Sequence, residues 1–148
     1  MLFGFKDNKC KQEVYSKDEV DNMIDVQEYV TTKEHSKGTI TSIFRRSGNV
    51  VNVLTKVNIV ANGLLSTNFA PENLPEWAKT NQTTGIIATG SYIGNVSAET
   101  ENDYYRVKQH LSVRLNKTST GNHVLIISAT NKEEETTDLY VTISYIVD

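Results

Sequence analysis

From Thr39 onward the apolar residues of this chain recur at every second position, and that period constrains the fold more than any other feature. In VVNVLTKVNI, Val51, Val53, Thr55, Val57 and Ile59 fall on one face and Asn52, Lys56 and Asn58 on the other, with Val50 and Leu54 as apolar exceptions. Side chains alternate across a strand, whereas a helix needs a period of 3.6, so this pattern specifies half-buried β-strands. RVKQHLSVRL repeats it, with Val107, Leu111, Val113 and Leu115 inward, Gln109 the exception, and Arg106, Lys108, His110, Ser112 and Arg114 outward. LYVTISYIVD does so again through Leu139, Val141, Ile143, Tyr145 and Val147. HVLIISA, residues 123–129, is apolar on both faces and suits a central strand.

Turn chemistry separates these runs. Ser47-Gly48-Asn49 closes a hairpin within TITSIFRRSGNVVNVLTKVNIV, and ANG at 61–63 ends its second strand. Residues 64–81 read as one long loop holding both prolines, Pro71 and Pro75, and the only tryptophan, Trp77. TTGIIATGSYIGNVS reads as one bent strand or two short ones, and AETENDYY as an acidic loop. NKTSTGN and NKEEETTD are polar turns. No long helical pattern lies between the strands, so parallel βαβ units are excluded. The expectation is a mainly β head of six to eight strands over 38–148, an antiparallel, jelly-roll-like β-sandwich.

The N-terminal part has a different pattern. Ser16 followed by Glu19 makes a capping box, and Tyr15 and Val20 have hydrophobic-staple spacing. Asp18 and Glu19 place negative charge in the first turn, where the helix dipole favours it. Val20, Met23, Gln27 and Val30 recur at threes and fours, widened by Ile24 and Val26, which predicts a helix from Ser16 to Val30. At 1.5 Å per residue it spans about 22 Å and is marginal alone. It must pack on its own domain or on copies of itself. A linker, TTKEHSKG, follows, so 16–37 is read as helix plus linker and 1–15 as a terminal segment whose Phe3 and Phe5 form an apolar tip.

Several function classes are excluded on this evidence. A net charge of −3 gives no general attraction to nucleic acid. The single cysteine, Cys10, allows neither an intrachain disulfide nor a cysteine metal cage. It lies between Lys9 and Lys11 but has no base beside it. The start MLFGFKDNKCK fits neither a signal peptide nor a membrane span, so synthesis in a cytoplasm without membrane insertion is expected. The sequons at Asn81, Asn95 and Asn116 are then chance matches. Phosphate-binding, nucleophile-elbow and zinc-protease motifs do not occur. His35, His110 and His123 fall on separate elements without carboxylates at ligand spacing, so neither metal nor cofactor is expected. Glu99, Glu101 and Asp103 would serve a glycosidase only if two were held across a cleft; solvated loop charge is the simpler reading. No catalytic residue is assigned.

What remains points to binding. Trp77, Tyr92, Tyr104 and Tyr105 fall in or beside loops, where aromatic rings stack on sugars or anchor partners; the alternative for each is a plug under a loop. The outward row Arg106, Lys108, His110 and Arg114 is basic in an acidic chain. It suits an anionic polymer, or is an ordinary solvated face.

VYSKDEVDNMI, residues 14–24, resembles the Y-[ST]-K-x-E-V-D segment of tail-fibre and baseplate proteins from phages of Gram-positive bacteria. IFRRSGNVVNV is similar to the opening hairpin of their head domains, and the proline-containing middle loop and LYVTISYIVD fit the same order. The resemblance spans most of 14–148 and is loose in 60–130. Tail-like bacteriocins reuse the same parts. The resemblance implies a homotrimeric receptor-binding protein of a virion or tail-like particle. Residues 1–15 would dock on a baseplate or tail protein. A short coiled coil would follow, with Val20, Met23, Ile24 and Val30 on its axis and Gln27 as a polar layer. The head would bind a host cell-wall polysaccharide or teichoic acid, and trimerisation would multiply weak sugar sites into avidity.

Overall fold

The computed structural model describes residues 27–82, 84–99 and 104–147. They form two four-stranded antiparallel sheets. The strands are β1 (Gln27–His35), β2 (Gly38–Ser47), β3 (Val50–Ile59), β4 (Gly63–Phe69), β5 (Gly85–Glu99), β6 (Tyr104–Lys117), β7 (His123–Asn131) and β8 (Thr137–Ile146). Sheet 1 has the order β1-β2-β3-β8 and sheet 2 the order β4-β7-β6-β5. The order within sheet 2 is a Greek key: three consecutive strands form a meander, and β4 returns beside β7. Sheet 1 is a meander with the last strand added. A jelly roll has two Greek keys; this sandwich has one, so the expected class holds at the level of an antiparallel sandwich and the finer layout differs.

The predicted faces match the observed burial. Val51, Val53, Thr55, Val57 and Ile59 are buried on β3, and Leu139, Val141, Ile143 and Tyr145 on β8, with Val147 just beyond its end. They meet Leu111, Val113 and Leu115 of β6 and Leu125, Ile127 and Ala129 of β7 in one core. The buried hydroxyls of Ser42 and Thr55 satisfy each other at 2.8 Å. The hairpin turn is Gly48-Asn49, with Ser47 opposite Val50. Gly48 has φ 62°, and a positive φ at the first central residue alone is the pattern of a type II′ turn. Gly90 sets the distance between β5 and sheet 1, because a Cβ there would lie 2.8 Å from Ile143 Cγ2.

Three expectations are overturned. The predicted helix does not reach Val30: Gln27–His35 is a strand paired with β2 along its whole length, with Tyr29 opposite Phe44 and Val30 opposite Ile43. Gln27 and Val30 are therefore strand residues, and residues 27–35 of the expected helix-and-linker segment belong to the sandwich. Tyr29, Val30, Thr31 and Thr32 are β-formers, and the open edge of β2 gives their backbone groups partners that a marginal helix does not. The tertiary pairing overrides the spacing of threes and fours. The other seam positions, Val20, Met23 and Ile24, lie outside the described residues, as do Cys10 and the capping box. Second, the loop begins at Ala70, because 63–69 is β4, paired with β7. The adjacent Leu64 and Leu65 hid its alternation; Leu65 is buried and Leu64 is 68% exposed. Third, AETENDYY is not wholly a loop: Ala98 and Glu99 end β5 and Tyr104 and Tyr105 begin β6, beside residues 100–103, while Tyr92 lies within β5. TTGIIATGSYIGNVS resolves to a single strand, β5, with an irregularity between Ile86 and Ala88. Among the described residues there is no α-helix, and no helix is long and apolar enough to cross a membrane.

Candidate functional site

The segment from Ala70 to Gln82 lies across one end of the sandwich, with a 3₁₀ turn at Glu76–Ala78. A proline-punctuated segment of this kind has few internal hydrogen bonds, so its position depends on what holds its backbone. Side chains from five strands do so. Tyr29 Oη of β1 donates to the Glu72 carbonyl. Arg46 of β2 donates through Nη1 to the Trp77 carbonyl at 3.1 Å. Tyr145 Oη of β8 donates to the Ala78 carbonyl at 2.6 Å. Lys117 Nζ of β6 donates to the carbonyls of Thr80 at 3.1 Å and Gln82 at 2.9 Å. The Thr80 N–H donates to His123 Nε2 of β7 at 3.2 Å. The loop is thereby fixed in one conformation, which favours precise hydrogen bonding to a ligand.

His123 is the least expected member. It is 5% exposed and accepts from a backbone N–H, so its imidazole is held neutral, with the proton assigned to Nδ1. Burial pushes its pKa below the usual value, and the nearby Lys117 ammonium pushes it further down. Lys117 lies directly opposite His123 in the β6–β7 ladder. Burial also raises the Tyr145 phenol well above its ordinary value, so it remains a donor throughout the physiological range.

The β6–β7 turn supplies the facing wall. The Thr118 N–H donates to the Asn122 carbonyl at 2.8 Å, and the Asn122 N–H donates to Thr118 Oγ1 at 3.1 Å. Between turn and loop lies a cavity of about 210 Å³ bordered by Asn73, Leu74, Lys79, Asn122 and His123. It adjoins, through Gly121, a more open groove bordered by Gln82, Lys117, Thr118, Ser119 and Thr120. The polar groups of cavity and groove are amides, hydroxyls, the His123 imidazole and two ammonium groups. Lys79 is paired with Glu76 at 3.0 Å, and Lys117 is bonded to the loop. Such a lining offers both donors and acceptors, as a polyhydroxylated ligand requires. Acid–base chemistry on a sugar would need two carboxylates, and none of the residues bordering the cavity or the groove is acidic.

The residues expected to bind do not converge. Trp77 lies on the loop, but its half-buried ring packs against the core, so it is a plug under the loop. Tyr92 is mid-strand on β5, on the inward side opposite Leu111, with its ring over Gly94. His110 and Arg114 lie on the outer face of β6, four residues apart, which is about 13 Å. Tyr104, Tyr105 and Arg106 are paired through their backbones with Glu99, Ala98 and Ser97; their side chains, and the acidic positions Glu101 and Asp103, lie outside the described residues. The groove residues Asn73, Lys79, Asn122 and His123 were not singled out in the sequence as ligands. The signal available was the polar turn NKTSTGN, which became meaningful only once the topology placed it beside the loop.

Among the described residues no group of three or more histidine, cysteine or acidic side chains is placed to hold a metal ion. The chain matches no protein-family model, no curated protein and no solved structure.

Proposed function

We propose that the protein is a non-enzymatic receptor-binding protein of a phage-like tail, which recognises a cell-wall saccharide or teichoic-acid-type polymer on a Gram-positive host. The observation that carries this reading is the loop-end groove: a concave, amide- and hydroxyl-lined surface, held rigid from five strands at one end of a sandwich. The motif order from VYSKDEVDNMI through IFRRSGNVVNV to LYVTISYIVD supplies the tail context. In this reading the protein is a homotrimer attached through residues 1–15 to a baseplate or tail protein. With Gln27 and Val30 in β1, the trimer must rest chiefly on the sandwiches. An apolar row is available to it, with Val30 opposite Ile43 and Ile43 opposite Leu54 on the outer face of sheet 1. The same row would serve the rival reading, a structural baseplate or adaptor protein that makes no host contact.

Fluorescently tagged full-length protein, tested on strains with different wall polysaccharides, decides between them. Strain-selective binding, lost in the double variant Asn73→Gly/Asn122→Ala with unchanged thermal unfolding, is the expected result; glycine is chosen at Asn73 because its φ is 56°. Absence of binding to every strain sinks the receptor reading in favour of the adaptor. Release of saccharide from purified walls would instead revive an enzyme. A monomer by light scattering at micromolar concentration removes the trimer.

A further inference from the structure

One half of the loop at the end of the sandwich is held by groups that keep their charge state in mild acid, and the other half depends on one that does not. Residues 72–78 are fixed through the Tyr29, Arg46 and Tyr145 side chains, and neither a phenol nor a guanidinium changes charge between neutrality and mild acid. Residues 80–82 are fixed through Lys117, which donates to the Thr80 and Gln82 carbonyls, and through His123, whose Nε2 accepts the Thr80 N–H at 3.2 Å. A further bond, from Thr80 Oγ1 to the Ile146 carbonyl, is long at 3.4 Å. The Thr80–His123 bond stands where the cavity bordered by His123 adjoins the groove bordered by Gln82 and Lys117.

Protonating the ring removes that bond and puts nothing in its place. An imidazolium carries a proton on both nitrogens, so Nε2 would meet the Thr80 N–H as donor against donor. Thr80 is 3% exposed and His123 5%, so water reaches neither group while the loop is closed. A charge buried there is costly unless it is paired. Among the described residues, the charged groups acting on the ring are Lys117 from β6 and Lys79 and Glu76 from the loop. Two of these are ammonium groups that repel an imidazolium, and the Glu76 carboxylate is already paired with Lys79 at 3.0 Å. The Gly121 backbone, hydrogen-bonded to the ring, favours the charged form together with Glu76, but burial and the two lysines outweigh them.

We propose that residues 80–82 are an acid-released lid: protonation of His123 detaches them from β6 and β7 and joins the cavity and the groove into one open cleft. Opening gives the imidazolium water, lets the Lys117 ammonium move away from it, and leaves the anchors of residues 72–78 in place. Histidine is the side chain suited to such a switch, because it changes charge in a pH range where the other anchors do not. The release needs no ligand, so it does not depend on the receptor reading. Only its consequence, weaker cell binding in acid, rests on that reading.

The test is backbone hydrogen exchange of the full-length chain, followed by NMR at constant ionic strength. The series runs from neutral pH downward until the His123 ring resonances have titrated, and each rate is expressed as protection relative to an unstructured chain at the same pH. The Thr80 amide is expected to lose roughly tenfold or more in protection, about the worth of one hydrogen bond. The midpoint should match the His123 titration and lie below pH 6.5. The Ala78 amide, bonded to the Pro75 carbonyl, and the amides of the β3–β8 ladder should keep their protection. His123→Gln, whose amide oxygen can accept the same N–H without titrating, should make Thr80 protection independent of pH. Lys79→Gln removes one repelling ammonium and releases Glu76, so its midpoint should move to higher pH; it tests the switch even if His123→Gln fails to fold. Four outcomes overturn the inference: Thr80 protection unchanged through the His123 titration, loss of β3–β8 protection at the same pH, the same acid loss in a folded His123→Gln, or an unmoved midpoint in Lys79→Gln. Acid release of the lid with pH-independent cell binding would support the lid and count against the receptor reading alone.

Discussion

Replacing Lys117 by Met tests whether the loop-end groove is held in the way its geometry implies. Methionine keeps an unbranched apolar stem of similar reach and removes only the ammonium. Two hydrogen bonds disappear, to the carbonyls of Thr80 and Gln82. A hydrogen bond from a charged donor is worth about 1.5–3 kcal/mol on deletion. Gln82 is exposed, so its carbonyl recovers a water and contributes little. Thr80 is 3% exposed, and its carbonyl bears most of the cost. The expected loss is about 1–2 kcal/mol, which for a chain of this size lowers Tm by roughly 3–6 °C. The damage should be local. The Thr80 N–H, bonded to His123, should lose hydrogen-exchange protection, while amides in the β3–β8 ladder keep theirs. A second signature is electrostatic. Lys117 is one of the groups holding the His123 pKa down, so removing it should let the imidazole titrate closer to 6.5 in an NMR pH series. A variant with an unchanged His123 titration and unchanged Thr80 protection would refute the argument that Lys117 organises this end of the molecule.

His123 also sets a pH dependence. Its folded-state pKa lies below the ordinary 6.5, so between the two values the unfolded chain binds a proton that the folded chain does not. The stabilisation is complete above pH 6.5 and is lost as pH falls toward the folded value. Calorimetric Tm should therefore fall between pH 7.5 and 5, and His123→Gln should flatten that segment of the curve. In the core, Ile127 is fully buried on the central strand β7. Ile127→Ala should cost about 2–5 kcal/mol in urea unfolding, and a cost below 1 kcal/mol would mean that the two sheets do not pack as described.

The strands with uninterrupted alternation could be read directly, because period two leaves one register compatible with a buried face. β3, β8 and the part of β6 from Val107 to Leu115 were legible in their alternation, including the inward exceptions Thr55 and Gln109, and the Gly48 turn followed from local chemistry. β1 and β4 were not legible, for opposite reasons. The β1 sequence had a competing helical spacing through Gln27 and Val30, and it became a strand because β2 offered an edge. β4 had two adjacent leucines that concealed its alternation, and it became a strand because β7 needed a second neighbour.

The candidate site was less legible than the fold. Aromatic and basic residues drew attention to Trp77, Tyr92, His110 and Arg114, yet the sandwich buries part of the first against the core, turns the second inward and leaves the last two on an outer face. The groove depends on residues about forty positions apart, as in the Thr80–His123 bond. The sequence by itself determined the composition of the faces, since alternation is a local property of consecutive residues. Which faces and turns meet depends on strand order, a property of long-range pairing that no local pattern encodes, and this was decided only by the tertiary structure.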